Sequence, residues 1–400
     1  MITSPSQSMF SRQRCLNWLS AFVLSASLFL VSDGQKCAAQ DNGAPVVDRP
    51  EEEIKSFRLK VVNLFKASDF RGLEDMVAEV RSGPPLFATG NTRLYRFYTV
   101  MEPGSKEGED VWQRDEAAYQ AWEKAFPKSI TARIAHANFL TSYAWKARGS
   151  DWGSNVTDEG WKVFGQRLDA AEKILAEARE MQPRCPMWWY VEMTVALGQG
   201  WSRSQEARLF AEAKKFFPQF YGYDMAHAHY LLPRWYGEEG DWEKSAEEEA
   251  QKPEGLGAEG YARVVGSLTG YYGNIFRESH ASWPKTREGY EQICKKYPDS
   301  LSSRAVFFRM ACLAGDRGLA QQTPQGTERL CGAGHVARLI RVFQELGAHR
   351  RTSRRRITFQ ASISGTAVTS RSARSDNARR GVTYSERFVG RRSSPPRADE

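Results

Sequence analysis

What most constrains this chain is a helical period that is interrupted, again and again, by a proline and then by a glycine. The clearest stretch is residues 161–179, where Trp161, Phe164, Leu168, Ala171, Leu175 and Ala178 step by three and four and form one apolar stripe. Thr157 precedes it as an N-cap, with Asp158 and Glu159 in the first turn. The same period recurs in Tyr119-Trp122-Phe126, in Ala207-Phe210-Ala211 and in Tyr290-Ile293-Cys294-Tyr297. Four times such a helix runs into a proline: Ala125-Phe126-Pro127, Met181-Gln182-Pro183, Phe216-Phe217-Pro218 and Lys296-Tyr297-Pro298. A second helix then leads to a glycine: Gly149, Gly200, Gly240 and Gly315 in turn. One proline step is 35 residues, close to the roughly 34-residue period of tetratricopeptide repeats. The other steps, 56 and 80, require insertions. The expectation is an all-α fold of stacked helical hairpins, an α-solenoid, because a hairpin cannot bury its apolar face alone.

Nearer the N-terminus, Ile54, Phe57, Val61 and Leu64, then Phe70, Leu73, Val77 and Val80, predict a helical hairpin that Ser82-Gly83-Pro84-Pro85 stops. Asp69 is the expected cap of its second helix. Arg93-Leu94-Tyr95-Arg96-Phe97-Tyr98-Thr99-Val100 alternates like a strand without a partner, and is read as a short extended or helical connector. The resulting division is a signal peptide at 1–39, a linker at 40–50, the hairpin at 51–85, the connector at 86–110, the tetratricopeptide-like domain at 111–322 and an Arg-rich, disordered tail at 323–400.

The first of these rests on Arg12 and Arg14, an apolar run of 14 residues from Trp18 to Val31, and Cys37-Ala38-Ala39, the order of a secretory signal cleaved after Ala39. The run is short of the roughly 20 residues that span a bilayer, and Gln35 and Lys36 argue against a lipid anchor on Cys37. Export to the periplasm or beyond is therefore expected, with retention by an uncleaved signal as the alternative and no stable membrane span after cleavage. Of the cysteines that remain, Cys294 and Cys312 lie on neighbouring predicted helices, but buried free thiols are the simpler expectation.

Charge separates the tail from everything before it. Residues 323–400 hold 16 Arg, no Lys and 6 acids, a net of +10, whereas the preceding 322 residues carry −2. All 17 Lys and all 12 Trp precede Thr323. A shifted reading frame in GC-rich DNA, beginning between Asp316 and Gln325, accounts for this usage. A genuine basic arm that binds polyanions through clusters such as Arg354-Arg355-Arg356 is the alternative. Four aromatics in the tail are too few for a base-stacking platform, so nucleic acid is expected as a partner only if the tail is genuine.

The runs 129–138 and 142–149 resemble a bacterial family defined by a domain of unknown function, the one numbered 4034. So do Val156-Thr157-Asp158-Glu159-Gly160-Trp161, Ala196-Leu197-Gly198-Gln199-Gly200-Trp201, Tyr230-Leu231-Leu232-Pro233-Arg234-Trp235-Tyr236-Gly237 and Cys312-Leu313-Ala314-Gly315-Asp316. The resemblance covers roughly residues 111–320. It implies a tetratricopeptide-like helical domain of exported bacterial proteins, and it brings no activity, substrate or catalytic residue. After Leu319-Ala320 the sequence departs from the family pattern.

No P-loop, dinucleotide fingerprint or nucleophile elbow is present. No catalytic residue, cofactor or metal ligand is assigned. His227 and His229 are two apart, so on a helix they point in different directions, and the expectation is one core and one exposed histidine. Asp151 and Glu159 flank an aromatic loop that begins at Trp152, and two carboxylates in a cleft can do acid–base hydrolysis; a helix cap beside a solvated loop is the plainer reading. Arg133, His136, Asn138 and Tyr143 can line one face of a helix in a groove, and Trp235 is one of the tryptophans that can wall it; a helix whose Ile134, Ala137, Phe139 and Leu140 face the core, with the polar residues at the surface, is the plainer expectation. The abundant Trp residues otherwise belong between helices, and Glu247-Glu248-Glu249 reads as a solvated helix face. The function expected first is a scaffold that binds a protein or peptide partner in the cell envelope. An envelope hydrolase or glycan-binding protein using the cleft is the alternative from another class, and a polyanion binder acting through the tail is a third.

Overall fold

The computed structural model describes residues 49–149 and 153–321. The expected signal peptide, most of the linker and the Arg-rich tail lie outside them, as do Asp151 and Trp152. All described residues belong to one compact unit. Fifteen α-helices make up its architecture, with no strand among the described residues beyond an isolated antiparallel bridge between Leu86 and Thr92.

The chain opens with the hairpin α1 (Arg49–Lys66) and α2 (Phe70–Ser82), and Asp69 caps α2 by accepting the Gly72 amide at 2.9 Å. The stretch that alternates like a strand is the short helix α3 (Arg93–Thr99), which buries Leu94, Phe97 and Tyr98. Four longer helices follow: α4 (Glu109–Ala125), α5 (Ile130–Arg148), α6 (Asp158–Ala178) and α7 (Pro186–Gln199). Next come α8 (Arg203–Phe216), α9 (Tyr221–Tyr230), α10 (Asp241–Gln251), α11 (Ala258–Leu268) and the single turn α12 (Ile275–Glu278). The last three are α13 (Trp283–Lys296), α14 (Leu301–Ala314) and α15 (Arg317–Gln321). Pro127, Pro218 and Pro298 fall two residues after a helix and Pro183 five, and Gly149, Gly200, Gly240 and Gly315 all have positive φ, which an L side chain rarely adopts.

Helices adjacent in sequence pack together, and so do alternate ones: α5 on α7, α7 on α9, α9 on α11 and α11 on α13. α5 and α7 are enclosed on several sides. α5 buries thirteen residues between Ile130 and Ala144, and α7 buries ten between Met187 and Leu197. α6 buries Phe164, Leu168, Ala171, Leu175 and Ala178 as its stripe predicts, but Trp161 at the head of that stripe is 40% exposed. The hairpin α1–α2 shares one apolar core with α3 through α8 and the start of α9. Cys185, Cys294 and Cys312 are free thiols.

Residues 85–93 form a tight loop that ties this N-terminal part to the far end of the array. The amide of Phe87 donates to Asn91 O and that of Arg93 to Pro85 O, both at 2.9 Å. Leu86 packs into a core cluster of α11, α13 and α14, and Phe87 and Thr89 are each only 2% exposed. Gly90, at φ 80°, lies so close to the Tyr297 ring that a Cβ would sit 2.5 Å from it.

Two expectations are corrected. His227 and His229 are both buried: they leave α9 in different directions, but each direction meets packed protein. His227 faces Glu206 of α8 at 2.8 Å, and His229 accepts from Trp235 Nε1 at 3.2 Å. Within the acidic run, Glu249 is not solvated; its side chain is 12% exposed because Lys214 and Lys252 gather around it.

α11 and α13 approach closely because residue 289 has no side chain: a Cβ there would lie 2.0 Å from the Ala258 carbonyl oxygen. Gly289→Ala should therefore destabilise the fold by about 1–3 kcal/mol through overpacking. Gly165→Ala in α6, where a Cβ meets nothing within 4 Å, should instead stabilise it by roughly 0.4–1 kcal/mol. Urea unfolding of the two variants checks both signs.

Candidate functional site

Enclosing α5 forces its polar side chains to find partners inside the protein, and these partners locate the site. Three residues after α3, Glu102 accepts hydrogen bonds from both Asn138 and Ser142, which lie one turn apart on α5; the Ser142 contact is 2.8 Å. Burial pushes the Glu102 carboxyl up to about 8, against the lowering pull of Ser142 and Asn138, so it is a neutral acid at pH 7. The residue is nevertheless partly exposed, as are Ser142 and two tyrosines of the same surface, Tyr95 of α3 and Tyr190 of α7. Tyr95 and Tyr190 meet edge to face with ring centroids 5.2 Å apart. Both phenols are raised, first by burial and then in part by the nearby Glu102 carboxylate. Thr194, one turn beyond Tyr190, continues this side of α7.

A group of partly exposed side chains with a carboxyl held protonated near neutral pH, hydroxyls and aromatic edges can donate and accept hydrogen bonds without carrying charge. It suits a polar, uncharged ligand surface such as a peptide backbone or a sugar. Beside it the loop 85–93 is held in a related way, by side chains acting on main chain. Thr92 N donates to Tyr221 Oη at 3.1 Å, and Arg263 donates to Gly90 O at 3.3 Å. At the far side Ser303 Oγ lies 3.5 Å from Thr89 O. Arg263 itself stacks on Tyr221 at 4.4 Å and pairs with Glu259 at 2.8 Å, so the groups that grip the loop are fixed by their own neighbours.

The residues that the sequence offers as a cleft do not come together. Arg133 faces Glu177 of α6 at 3.8 Å. His136, 5% exposed, points to α4, where Glu123 stands 3.1 Å from Nδ1 and the Tyr119 ring stacks parallel to the imidazole. One helix surrounded by several others sends neighbouring stripes to different partners, so spacing along α5 does not make a common site. Glu159 is 71% exposed and lies 3.6 Å from Lys162 in the first turn of α6, where it serves the helix end. Trp235 is partly exposed, packs edge to face on Trp145 at 5.5 Å and bonds His229, whose pKa burial lowers to about 3. Asp151 and Trp152 lie outside the described residues. Among the described residues no group of three or more His, Cys, Asp or Glu side chains is placed to hold a metal ion, and no helix is long and apolar enough to cross a membrane.

Glu102 sits in Met101-Glu102-Pro103, just after the aromatic stretch of α3, and no motif marks it. Its one signal is a carboxylate between a methionine and a proline beside Tyr95, Phe97 and Tyr98, which shows where apolar chain meets charge but not what the charge faces.

The raised carboxyl has a definite sign in stability. The folded chain keeps a proton that the unfolded chain releases above about 4.5, so Glu102 makes stability fall as pH rises from about 4.5 to about 8 and contributes no further slope above that. Glu192, pushed up to about 7 by burial, and Asp224, pushed up to about 6, act in the same direction. The informative quantity is thus the difference between variant and wild type. Glu102→Gln should gain thermal stability relative to wild type progressively between pH 5 and pH 8, and thermal melts across that range measure it.

No protein-family model, no curated protein and no solved structure matches the chain, so the function is read from the chemistry of these side chains and of the loop 85–93.

Proposed function

We propose that the chain is an exported helical-repeat scaffold, of tetratricopeptide-like build, that holds an extended segment of a partner protein along the row α5, α7, α9 and α11. The packing of every second helix on the next supports the repeat reading, since stacked hairpins make such contacts. The resemblance of residues 111–320 to the exported family fits the same reading and adds no activity to it. The observation that carries the proposal is the grip on residues 89–92. Side chains from α9 and α11, and from α14 at the loop's far side, bond to its main chain. That is how a helical surface retains a peptide of varied sequence. Next to this grip, Tyr95, Glu102, Ser142 and Tyr190 present uncharged donors, acceptors and ring edges that a second extended segment can use.

Selection from a random peptide library against the purified chain tests this. Peptides should be enriched whose affinity falls at least about tenfold in Tyr190→Ala with Ser142→Ala, a loss of the size expected for one or two good contacts. Circular dichroism should show the helices retained. Failure to enrich any peptide, together with retention of a soluble glycan lost in the same double variant, would favour the glycan-binding alternative. Turnover of a wall or glycan substrate, abolished in Glu102→Gln, would favour the hydrolase.

A further inference from the structure

The last turn of α5, the first turn of α6 and the segments that follow α9 and α11 bring aromatic rings and guanidinium groups together in alternation. Arg148, the last residue of α5, lies among three indoles, its Cζ 5.4 Å from the Trp161 ring centroid, 5.5 Å from that of Trp235 and 5.8 Å from that of Trp145. Arg234 then stands 5.8 Å from the Trp235 ring and 5.5 Å from the Tyr271 ring. The order across the surface is thus Trp161, Arg148, Trp235, Arg234, Tyr271. Trp161 is exposed and the other four are partly exposed. We propose that this surface binds an acidic polysaccharide whose rings carry carboxylates, a polyuronate, as a function separate from the peptide-holding row.

The charge of the surface selects an anion. Burial raises the Tyr236 and Tyr271 phenols and lowers His229 to about 3; after burial, the charge that acts on Tyr236 is Arg148, and the charge that acts on Tyr271 and His229 is Arg234. No carboxylate of the described residues acts on any of the three. Glu159, the acid nearest to Trp161 along the chain, is paired with Lys162 at 3.6 Å. The rings then decide which anion fits. Trp145 and Trp235 meet edge to face, at 5.5 Å and 86°, so these neighbouring rings make no parallel platform on which successive bases of a nucleic acid stack. A sugar needs one aromatic face at a time for its C–H groups. An aspartate or glutamate side chain brings a carboxylate without such an apolar face, whereas a uronate holds both on one rigid ring. Because each guanidinium here stands beside an indole, a single uronate residue meets both. In the bound state sugar rings lie on Trp161 and Trp235, and their carboxylates accept from Arg148 and Arg234.

Isothermal titration of the full chain with tetragalacturonate, its methyl ester, tetraglutamate and tetrathymidylate tests this. Tetragalacturonate should bind, and its uncharged methyl ester should bind at least about tenfold more weakly, the usual effect of losing charge-assisted hydrogen bonds. Trp161→Ala, at an exposed position, and Arg234→Gln should each weaken tetragalacturonate by a similar factor with unchanged circular dichroism. Tyr190→Ala with Ser142→Ala should leave it unchanged, which separates this surface from the peptide-holding row. No heat with tetragalacturonate overturns the proposal, and so does equal binding of the methyl ester. Binding indifferent to both Trp161→Ala and Arg234→Gln, as attachment to the Arg-rich residues 323–400 would give, overturns it too. Tighter binding of tetraglutamate or tetrathymidylate, lost in the same variants, would reassign the surface to a peptide or a nucleic acid.

Discussion

The structure depends on the burial of α5 on nearly all sides. A helix in that position receives neighbours from α3, α4, α6 and α7, and enclosing it costs least where the polar groups on it are met from within, although His136 keeps both ring nitrogens buried without a hydrogen bond. The surrounding elements supply those groups. Arg81 of α2 reaches Thr131 at 2.9 Å, Glu123 of α4 faces His136, and Glu102 accepts from Asn138 and Ser142. Thr141 returns its hydroxyl to the Ala137 carbonyl one turn back, at 2.8 Å. The N-terminal hairpin is thereby tied into the array, since α2 contributes Arg81 and also Glu74, which accepts from Trp122 at 2.9 Å.

The same constraint produces the candidate site. Glu102 is drawn to α5 to satisfy Asn138 and Ser142, and in being drawn there it is desolvated enough to hold its proton near neutral pH. A carboxyl that answers a structural need thus acquires the properties of a functional group, and the partly exposed tyrosines beside it turn that into a surface. The loop 85–93 is the second determinant. By packing Leu86 against α11, α13 and α14, placing Phe87 edge to face on Phe57 of α1 and setting the Thr89 carbonyl beside Ser303 of α14, it joins the beginning of the helical array to its end.

Much of the architecture could be read along the chain. The α6 stripe, the Thr157 and Asp69 caps, and the prolines and glycines that end helices are local features, and each is found where its physics puts it. The departures come where a residue's surroundings are contributed by distant parts of the chain. Trp161 continues the stripe in sequence but stands in the first turn, where Phe164 and Arg148 cover only part of its ring, and is 40% exposed. His229 lies two residues from His227, which predicts divergence, yet Trp235 and Tyr271 close over it. Arg133 and His136 suggested one groove and serve two different helices.

The candidate site was less legible than the fold, and for a physical reason. Helical period, caps and breaks depend on residues within a turn or two of one another, and these the sequence determined by itself, together with the charge contrast that sets residues 323–400 apart. The ionisation of Glu102 depends on desolvation by α5 and α7, the hold on residues 89–92 on side chains up to 214 positions away, and the close approach of α11 to α13 on one missing methyl group at Gly289. Only the tertiary structure could decide these, because proximity between distant segments is what creates the low dielectric, the unmet donors and the paired charges on which binding chemistry rests.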